Sequence, residues 1–371
     1  IRPLLGRGAK LIVASRLGES ASSPGSLGPG RNKKAPSILD TAELLSRELG
    51  CDVFVPDECT GDATKKIISG LKDNQICLLE NLALADDTGQ RAEAFARELL
   101  PYCDIFLGDS IRAFALDSAT TTRLPSLVEN RFASDRVIDE LRSIARVLNV
   151  LSPPLLVIWG GNQMKQGVEV IRDFARSAET IAVGGLPANT LLKAKGAQLG
   201  LSAVEENFEA GARTTLEQWG DKLLLPEDFI GAASIRAAQQ EVFSAERIPG
   251  DRMALDLGPR SIEALQKKVN SAGTVLWIGS VGFSRSEHFR RGTNAILEAM
   301  SASSAFTMVA GNDSVAAALA YREPQETQSN DGSGNQPTTI DCIAAGGKAT
   351  LSLLRQSKLP GLEALRGNSD E

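Results

Sequence analysis

The sequence predicts an α/β protein with two domains, each built on a parallel sheet, and a long helix between them. Short apolar runs alternate with segments of helical periodicity along the whole chain. The length of 371 residues suits two domains better than one. A single long amphipathic segment, residues 135–150, ends at two prolines near the middle of the chain.

The first half, residues 1–134, carries four short apolar runs that are typical of buried strands. These runs are Lys10–Ala14, Asp52–Val55, Gln75–Leu79 and Asp104–Leu107. Apolar residues recur at three- and four-residue spacing in Ile38–Leu49, which Gly50 ends, and in Arg91–Leu100, which Pro101 ends. This β-α-β-α order predicts a parallel sheet covered by helices on both faces.

The second half, residues 151–355, repeats this alternation and predicts a second domain of the same kind. Two polar segments rich in Gly, Ser, Pro or amide side chains, Glu19–Pro36 and Pro324–Pro337, are predicted to be loops. The predicted strands are Leu155–Trp159, Thr180–Val183, Lys222–Leu225, Met253–Leu257, Thr274–Ile278, Phe306–Ala310 and Asp341–Ala344.

Composition excludes several classes of function. A net charge of −6 argues against sequence-specific nucleic-acid binding and against an anionic membrane surface. No apolar run reaches the ~18 residues that a membrane span requires. The five cysteines lack CxxC spacing, so we expect reduced core thiols and no zinc site. The single histidine, His288, begins an amphipathic segment, and we expect no catalytic role for it.

Glycine-rich turns follow five of the predicted strands. At the carboxyl ends of parallel strands, the backbone N–H groups of such turns make a phosphate site. Each turn alone is weak support, because glycine also serves tight strand-to-helix corners. Neither a P-loop nor a GxGxxG fingerprint is present. The turns begin at Gly160-Gly161, Gly184-Gly185, Gly279, Gly311 and Gly346-Gly347.

Taken in order, seven blocks resemble the phosphoglycerate kinase family over nearly the whole chain. The blocks run from Gly8–Lys10 with Ala14–Gly18 through Leu78–Leu82, Lys222–Pro226, Leu255–Pro259, Trp277–Gly282, Ala345–Ala349 and Leu359–Leu365. The resemblance implies two Rossmann-like three-layer domains, with the acidic substrate on the first and Mg-ATP on the second. It also implies that residues 356–371 return to the first domain, and that the protein is intracellular and soluble, in a plastid or the cytosol.

The family's opening strand has no counterpart here, because the sequence begins after it. Without that strand, the neighbouring strands of the first domain would present open edges. The sequence also lacks an initiator Met and a signal peptide. We therefore expect that the natural protein is longer or that a partner fills the gap.

The family's reaction moves a phosphoryl group between anions, so the resemblance implies catalysis by positioning and by cationic side chains. On the substrate side, those side chains are replaced. Arg16 stands for a histidine, Glu19 and Ala83 stand for arginines, and Leu116 ends a block that closes with His-Arg in the family. Three lost arginine contacts would weaken substrate binding by roughly 10³- to 10⁶-fold.

On the nucleotide side, the resemblance implies a partly degraded site. Lys165 lies two places from the position of a lost lysine. Asp313 is kept as a weak candidate for Mg²⁺, or forms an N-cap pair with Ser314. The substituted positions are Gln163, Gly167, Ile278, Arg285 and Lys348, and the retained nucleotide-binding positions are Gly160, Gly161, Gly258, Gly311, Asn312, Asp313, Ser314, Gly346 and Gly347.

Three functions stay open from the sequence. The favoured one is a structural or assembly subunit with protein partners in a larger complex, no intact catalytic residues and no required cofactor. The second is a nucleotide-sensing module that uses the turns at Gly311–Ser314 and Gly346–Lys348, with weak Mg-ATP or Mg-ADP binding. The third is an active phosphoglycerate kinase with relocated residues, which converts ATP and 3-phosphoglycerate to ADP and 1,3-bisphosphoglycerate.

Overall fold

The computed structural model describes residues 1–17, 37–85, 88–149, 152–328 and 340–366. The chain divides into two compact units. The first contains Ile1–Asp135 and the chain from Lys358 onward, and the second contains Arg136–Ser357. Within the described ranges, no helix combines the length and apolarity needed to cross a membrane.

The first unit contains all four strands predicted for it and a fifth that the sequence did not reveal. The strands are β1 Leu11–Val13, β2 Val53–Phe54, β3 Ile76–Leu78, β4 Ile105–Gly108 and β5 Asn130–Ala133. The helices are α1 Arg2–Leu5, α2 Leu39–Leu49, α3 Asp62–Gly70, α4 Ala92–Leu99, α5 Ile111–Phe114 and α6 Leu124–Leu127. Both predicted helices of this half are therefore confirmed within one residue at each end.

The strands of this unit form two parallel sheets where the sequence predicted one. The first has the order β1-β3-β2, and the second is the pair β4-β5. In the register of the pair, Leu107 lies opposite Phe132. Ile105, two residues before Leu107, shares that face. These three side chains are 64% (Ile105), 44% (Leu107) and 54% (Phe132) exposed.

The opposite face of the β4-β5 pair is covered. Phe106 packs against a core cluster that contains Leu79 from the end of β3, Phe95 from α4 and Leu124 from α6. The pair thus buries one face and leaves an apolar face open among the described residues. We call Ile105, Leu107 and Phe132 the β4-β5 patch.

The last helix, α15, spans Pro360–Arg366 and packs in the first unit. Gly361 lies against Phe114, and a Cβ at this glycine would be 2.6 Å from the Phe114 ring. The guanidinium of Arg131 on β5 donates to the Leu365 carbonyl at 3.2 Å. Chain ends from both extremes of the sequence therefore build one unit.

A six-stranded parallel sheet forms the centre of the second unit, with the order β16-β15-β14-β6-β7-β9. Its six strands were all predicted. Their bounds are β6 Leu155–Trp159, β7 Thr180–Val183, β9 Leu223–Leu224, β14 Thr274–Ile278, β15 Phe306–Ala310 and β16 Cys342–Ala344. These strands are continuous apolar runs, as expected for parallel strands buried on both faces.

Helices of the second unit connect these strands. They are α7 Asp135–Asn149, α8 Met164–Phe174, α9 Gly185–Ala194, α10 Glu209–Trp219, α11 Pro259–Ser271, α12 Arg291–Ala302, α13 Asn312–Gln328 and α14 Lys348–Leu354. On one face of the sheet, Ile158 and Trp277 belong to a buried cluster with Leu265 of α11, Ile296 of α12 and Val315 of α13. This packing fixes the strand ends at which the predicted phosphate turns begin.

A second sheet in this unit was not predicted. It has the order β13-β10-β11-β12-β8 and is mainly antiparallel. The strand Met253–Leu257 was predicted correctly as β13, but its assignment to a parallel sheet was wrong because it runs antiparallel to β10. The other strands are β8 Gln198–Leu199, β10 Asp228–Ala232, β11 Glu241–Ser244 and β12 Arg247–Ile248. Two of them have only two residues and give no sequence pattern.

One loop prediction needs correction. Residues 324–328 belong to α13, because the helix continues through Pro324 to Gln328, where Glu and Gln favour helix. The rest of the predicted loop Pro324–Pro337 lies outside the described residues, and so do residues 18–36 between β1 and α2. The prediction for Glu19–Pro36 therefore has no structural counterpart to compare.

Candidate functional site

The glycine turns of the second unit bond directly to one another at the carboxyl edge of the six-stranded sheet. The N–H of Gly160 donates to the Ile278 carbonyl at 2.8 Å, and that of Gly161 donates to Ser280 at 2.7 Å. The N–H of Gly185 donates to the Val281 carbonyl at 2.8 Å. The turns after β6, β7 and β14 are therefore one hydrogen-bonded layer of backbone.

This layer has no room for side chains. A Cβ at Gly185 would lie 2.7 Å from the Gly161 carbonyl oxygen, and one at Gly279 would lie 2.8 Å from the Gly160 carbonyl oxygen. A Cβ at Gly311 would lie 2.9 Å from the Gly279 nitrogen. Gly279 and Gly311 also have positive φ angles of 80° and 95°. Backbone packing alone requires these glycines, with or without a ligand.

Internal carboxylates accept hydrogen bonds from backbone N–H groups at or just before the starts of three helices, and the sequence assigned one of these groups, that of Gly346, to phosphate. At the start of α8, the N–H of Met164 donates to Glu205 Oε2 at 2.7 Å. The N–H of Gly346, before α14, donates to Glu140 Oε1 at 3.2 Å. At the start of α11, the N–H of Ser261 donates to Asp228 Oδ1 at 2.9 Å.

Gly258 and Asp256 extend the same arrangement. A Cβ at Gly258 would overlap the carboxylate of Asp228, so this glycine makes room for the cap of α11. Asp256 accepts from the N–H of Gly292 at 2.9 Å, in the first turn of α12. Burial raises the pKa of Asp256 to about 6, against the effect of its backbone hydrogen bonds. Helix N-termini that attract anions are thus satisfied by carboxylates of this chain.

Ser314 joins two of the turns. Its hydroxyl accepts from the Gly279 N–H at 3.2 Å and donates to the Ala310 carbonyl. The side chain is fully buried. Its hydroxyl therefore serves the packing of the turns, and the backbone near Gly311 stays the candidate phosphate contact at this turn.

Asp313 faces a guanidinium. Arg285 Nη2 lies 3.1 Å from Asp313 Oδ1, and both side chains are partly exposed. Among the residues that the structure describes, no group of three or more acidic, Cys or His side chains could hold a metal ion. The donor set at Asp313, one carboxylate already paired with a cation, does not fit Mg²⁺, which prefers several oxygen ligands.

The carboxyl edge of the sheet is an apolar row. Neighbouring strands place Val183, Trp159, Ile278, Ala310 and Ala344 side by side. All five are buried. No charged side chain takes part in the row at the edge where the resemblance expects phosphoryl transfer.

Trp159 and Gly167 interlock behind this row. A Cβ at Gly167, in the second turn of α8, would overlap the indole ring of Trp159. The indole therefore fills the space into which any side chain at position 167 would have to extend. A lysine there would require Trp159 to move.

Three other predicted nucleotide positions lie at the surface. Gln163 precedes α8 and makes no capping bond with its side chain, and Lys165 is exposed. Lys348 is the exposed first residue of α14, after Gly347, whose φ is 59°. Within the described part of the chain, no hydrogen bond or ion pair orients any of these three side chains.

On the substrate side, the structure describes three of the four substituted positions. Arg16 lies after β1, Ala83 is half-buried in a turn, and Leu116 is exposed after α5. Glu19 lies outside the described residues. Asn81 is buried: its Oδ1 accepts from the Leu17 N–H at 2.8 Å and its Nδ2 donates to the Leu17 carbonyl at 2.9 Å. The block around Asn81 therefore has a structural role.

The sequence did not reveal two features of this site: the carboxylates that cap the turns, and the place that the Trp159 side chain occupies. Glu205 and Glu140 lie 41 and 206 residues from the amides they accept from. Acidic residues at such separations carry no local signal of capping. None of the five cysteines, all of which lie in the described ranges, forms a disulfide, and Cys59, Cys77 and Cys342 are buried.

A sequence model of the phosphoglycerate kinase family matches residues 1–356. The chain belongs to the phosphoglycerate kinase family. Phosphoglycerate kinase of Anaeromyxobacter dehalogenans strain 2CP-1 is 32% identical over 371 residues, which cover 98% of this chain and 88% of that protein. Phosphoglycerate kinase of Clostridium botulinum strain Alaska E43 is 30% identical, with the same coverage.

Solved structures of phosphoglycerate kinases share the fold. The structure from Pyrococcus horikoshii OT3 has a TM-score of 0.82 and 20% identity. The structure from Coxiella burnetii has a TM-score of 0.74 and 23% identity. Each covers 98% of this chain and 88% of the solved chain. The expected phosphoglycerate kinase fold is confirmed.

The Trp159–Gly167 contact predicts that the loss of stability caused by a substitution at position 167 depends on the residue at position 159. Gly167→Ala should lower the free energy of unfolding by about 1–3 kcal/mol, because the added methyl meets the indole ring. In a Trp159→Leu background the same change should cost less than about 1 kcal/mol. Urea unfolding of the four proteins measures both values.

Gly70→Ala is the matched control, since Gly70 ends α3 with open space around its Cα. It should be neutral or slightly stabilising. Equal costs for Gly167→Ala in both backgrounds would show that Trp159 does not fill the site.

Proposed function

We propose that this member of the phosphoglycerate kinase family has lost most of its phosphoryl transfer activity and serves as a structural or assembly subunit. The observation that carries the proposal is the buried Trp159 indole on Gly167, at the position of a family lysine. Ile278, beside Trp159 in the sheet, stands where the family has asparagine. Apolar side chains therefore fill the edge at which transferred charge needs stabilisation.

The energetic argument follows from the charge of the reactants. Phosphoryl transfer depends on cations and preorganised donors around the phosphoryl oxygens. Loss of a single such stabiliser commonly lowers turnover by roughly 10²–10³-fold. Gly167 stands where the family has one lysine, and Gln163 stands where it has another. The capping carboxylates Glu205 and Glu140 add negative charge to the same turns.

The active kinase is the second candidate, and the relatives support it. Proteins named phosphoglycerate kinase are 30–32% identical to this chain over nearly its whole length. Their names favour the conversion of ATP and 3-phosphoglycerate more directly than any single substitution opposes it. In this candidate, side chains such as Lys165 and Lys348 would supply charge from new positions.

A coupled assay of ADP phosphorylation from 1,3-bisphosphoglycerate separates the two candidates. We expect turnover at least about 10³-fold below that of the Anaeromyxobacter dehalogenans relative, because more than one stabiliser is missing. The assay uses the full natural chain, with circular dichroism melting as the check on folding. Turnover within about tenfold of the relative would establish the kinase candidate.

The assembly role rests on the β4-β5 patch. Exposed apolar faces beside open strand edges commonly mark protein contacts. We propose a protein partner that covers this patch with an apolar segment of its own, inside a soluble compartment such as the plastid or the cytosol. Nucleotide sensing by the Gly311 turn is compatible with this role and needs no cofactor.

The patch predicts the effect of polar substitutions on assembly. The double variant Leu107→Asn, Phe132→Asn should migrate alone in native electrophoresis of cell extracts, while the unchanged protein migrates in a larger complex. The control is Val242→Asn, because Val242 is 58% exposed in the second unit, outside the patch. Migration alone by the unchanged protein, or an intact complex with the double variant, would contradict the proposal.

A further inference from the structure

A positively charged side chain, that of Arg285, lies at the turn that contains Asp313. Arg285 Nη2 lies 3.1 Å from Asp313 Oδ1, with side chains that are 76% and 41% exposed. Asp313 is in the first turn of α13, a helix of 17 residues. The guanidinium therefore stands beside the only carboxylate at the turn to which the resemblance assigned a metal.

The loop that carries Arg285 is anchored. The N–H of Phe283 donates to the Leu255 carbonyl on β13 at 2.7 Å, and the N–H of Ser286 closes a turn onto the Phe283 carbonyl at 3.1 Å. These bonds hold the loop between β14 and α12 against the second sheet. They fix the backbone on both sides of Arg285, whereas its exposed side chain is held by the ion pair with Asp313, an interaction that by itself is weak.

A divalent cation at Asp313 would have to displace or tolerate this guanidinium. Mg²⁺ needs near-octahedral oxygen ligands and usually takes one or two carboxylates together with phosphate oxygens. A cation already in contact with the carboxylate removes a ligand and repels the metal. A guanidinium fork can itself bind phosphate oxygens in pairs.

We propose that Arg285 takes the place of the divalent cation at Asp313, so that this turn does not use Mg²⁺ when a nucleoside diphosphate binds. The phosphates would meet the guanidinium and the backbone around Gly311. This inference rests on the proposed loss of the family's metal-assisted transfer. It adds to that proposal that Arg285 makes the binding of a nucleoside diphosphate independent of Mg²⁺.

Calorimetry of ADP binding with Mg²⁺ and with a chelator tests the role of Arg285. Arg285→Gln should gain metal dependence: ADP binding should be at least about tenfold tighter with Mg²⁺ than with the chelator. The unchanged protein should bind ADP no more tightly with Mg²⁺ than without it. The double variant Arg285→Gln, Asp313→Asn should lose the gain, because the freed carboxylate is then absent.

The matched control is Arg290→Gln. Arg290 pairs with Glu287 at the same distance of 3.1 Å and is also exposed, but its pair is separate from Asp313. This variant should behave as the unchanged protein. The inference is wrong if ADP binding by the Arg285→Gln protein depends on Mg²⁺ no more than binding by the unchanged protein does. It is also wrong if the Arg285→Gln protein binds no ADP in either buffer. Turnover in the kinase assay is a separate readout, so failure of the proposed function is distinguishable.

Discussion

The close approach of backbone between the glycine turns is the constraint on which the second unit depends. The turns after β6, β7, β14 and β15 contact one another through main-chain atoms, and the hydroxyl of Ser314 bonds two of them together. A side chain at Gly160 or Gly185 would separate the strand ends. This constraint acts on the fold whether or not a nucleotide binds, because the contacts are made within the chain.

Under the proposed function, the same constraint accounts for glycines that stay where packing requires them while nearby cations are replaced. Glycines are fixed by packing, whereas a lysine at position 163 or 167 would contribute charge only to a bound phosphate. In the structure, an indole occupies the space at Gly167 and a guanidinium pairs with Asp313, as the proposed loss of phosphoryl transfer would allow. Carboxylates then satisfy helix N-termini that anionic ligands would otherwise use.

Much of the fold could be predicted from the sequence, because its central parallel strands are continuous apolar runs bounded by glycine. β6, β14 and β15 match their predicted bounds residue for residue. The strand β11 was missed because in Glu241–Ser244 partly buried residues alternate with exposed ones, which resembles a loop. The strand β10 is buried throughout, but Asp228 and Gly231 interrupt its apolar pattern. At the site, the substitutions that the resemblance implies could be read from the sequence. Their consequences depended on tertiary contacts, such as those of Trp159 and Glu205, that no local pattern reports.

The central claim is that the transfer edge of this fold is filled by packed apolar side chains. Fluorine NMR of the protein with ADP, 3-phosphoglycerate, Mg²⁺ and aluminium fluoride tests it directly, since a metal fluoride mimics the transferring phosphoryl group and transition-state mimics bind active sites most tightly. The account predicts only the resonances of free fluoride species. Protein-bound fluoride resonances that depend on both ADP and 3-phosphoglycerate would contradict it.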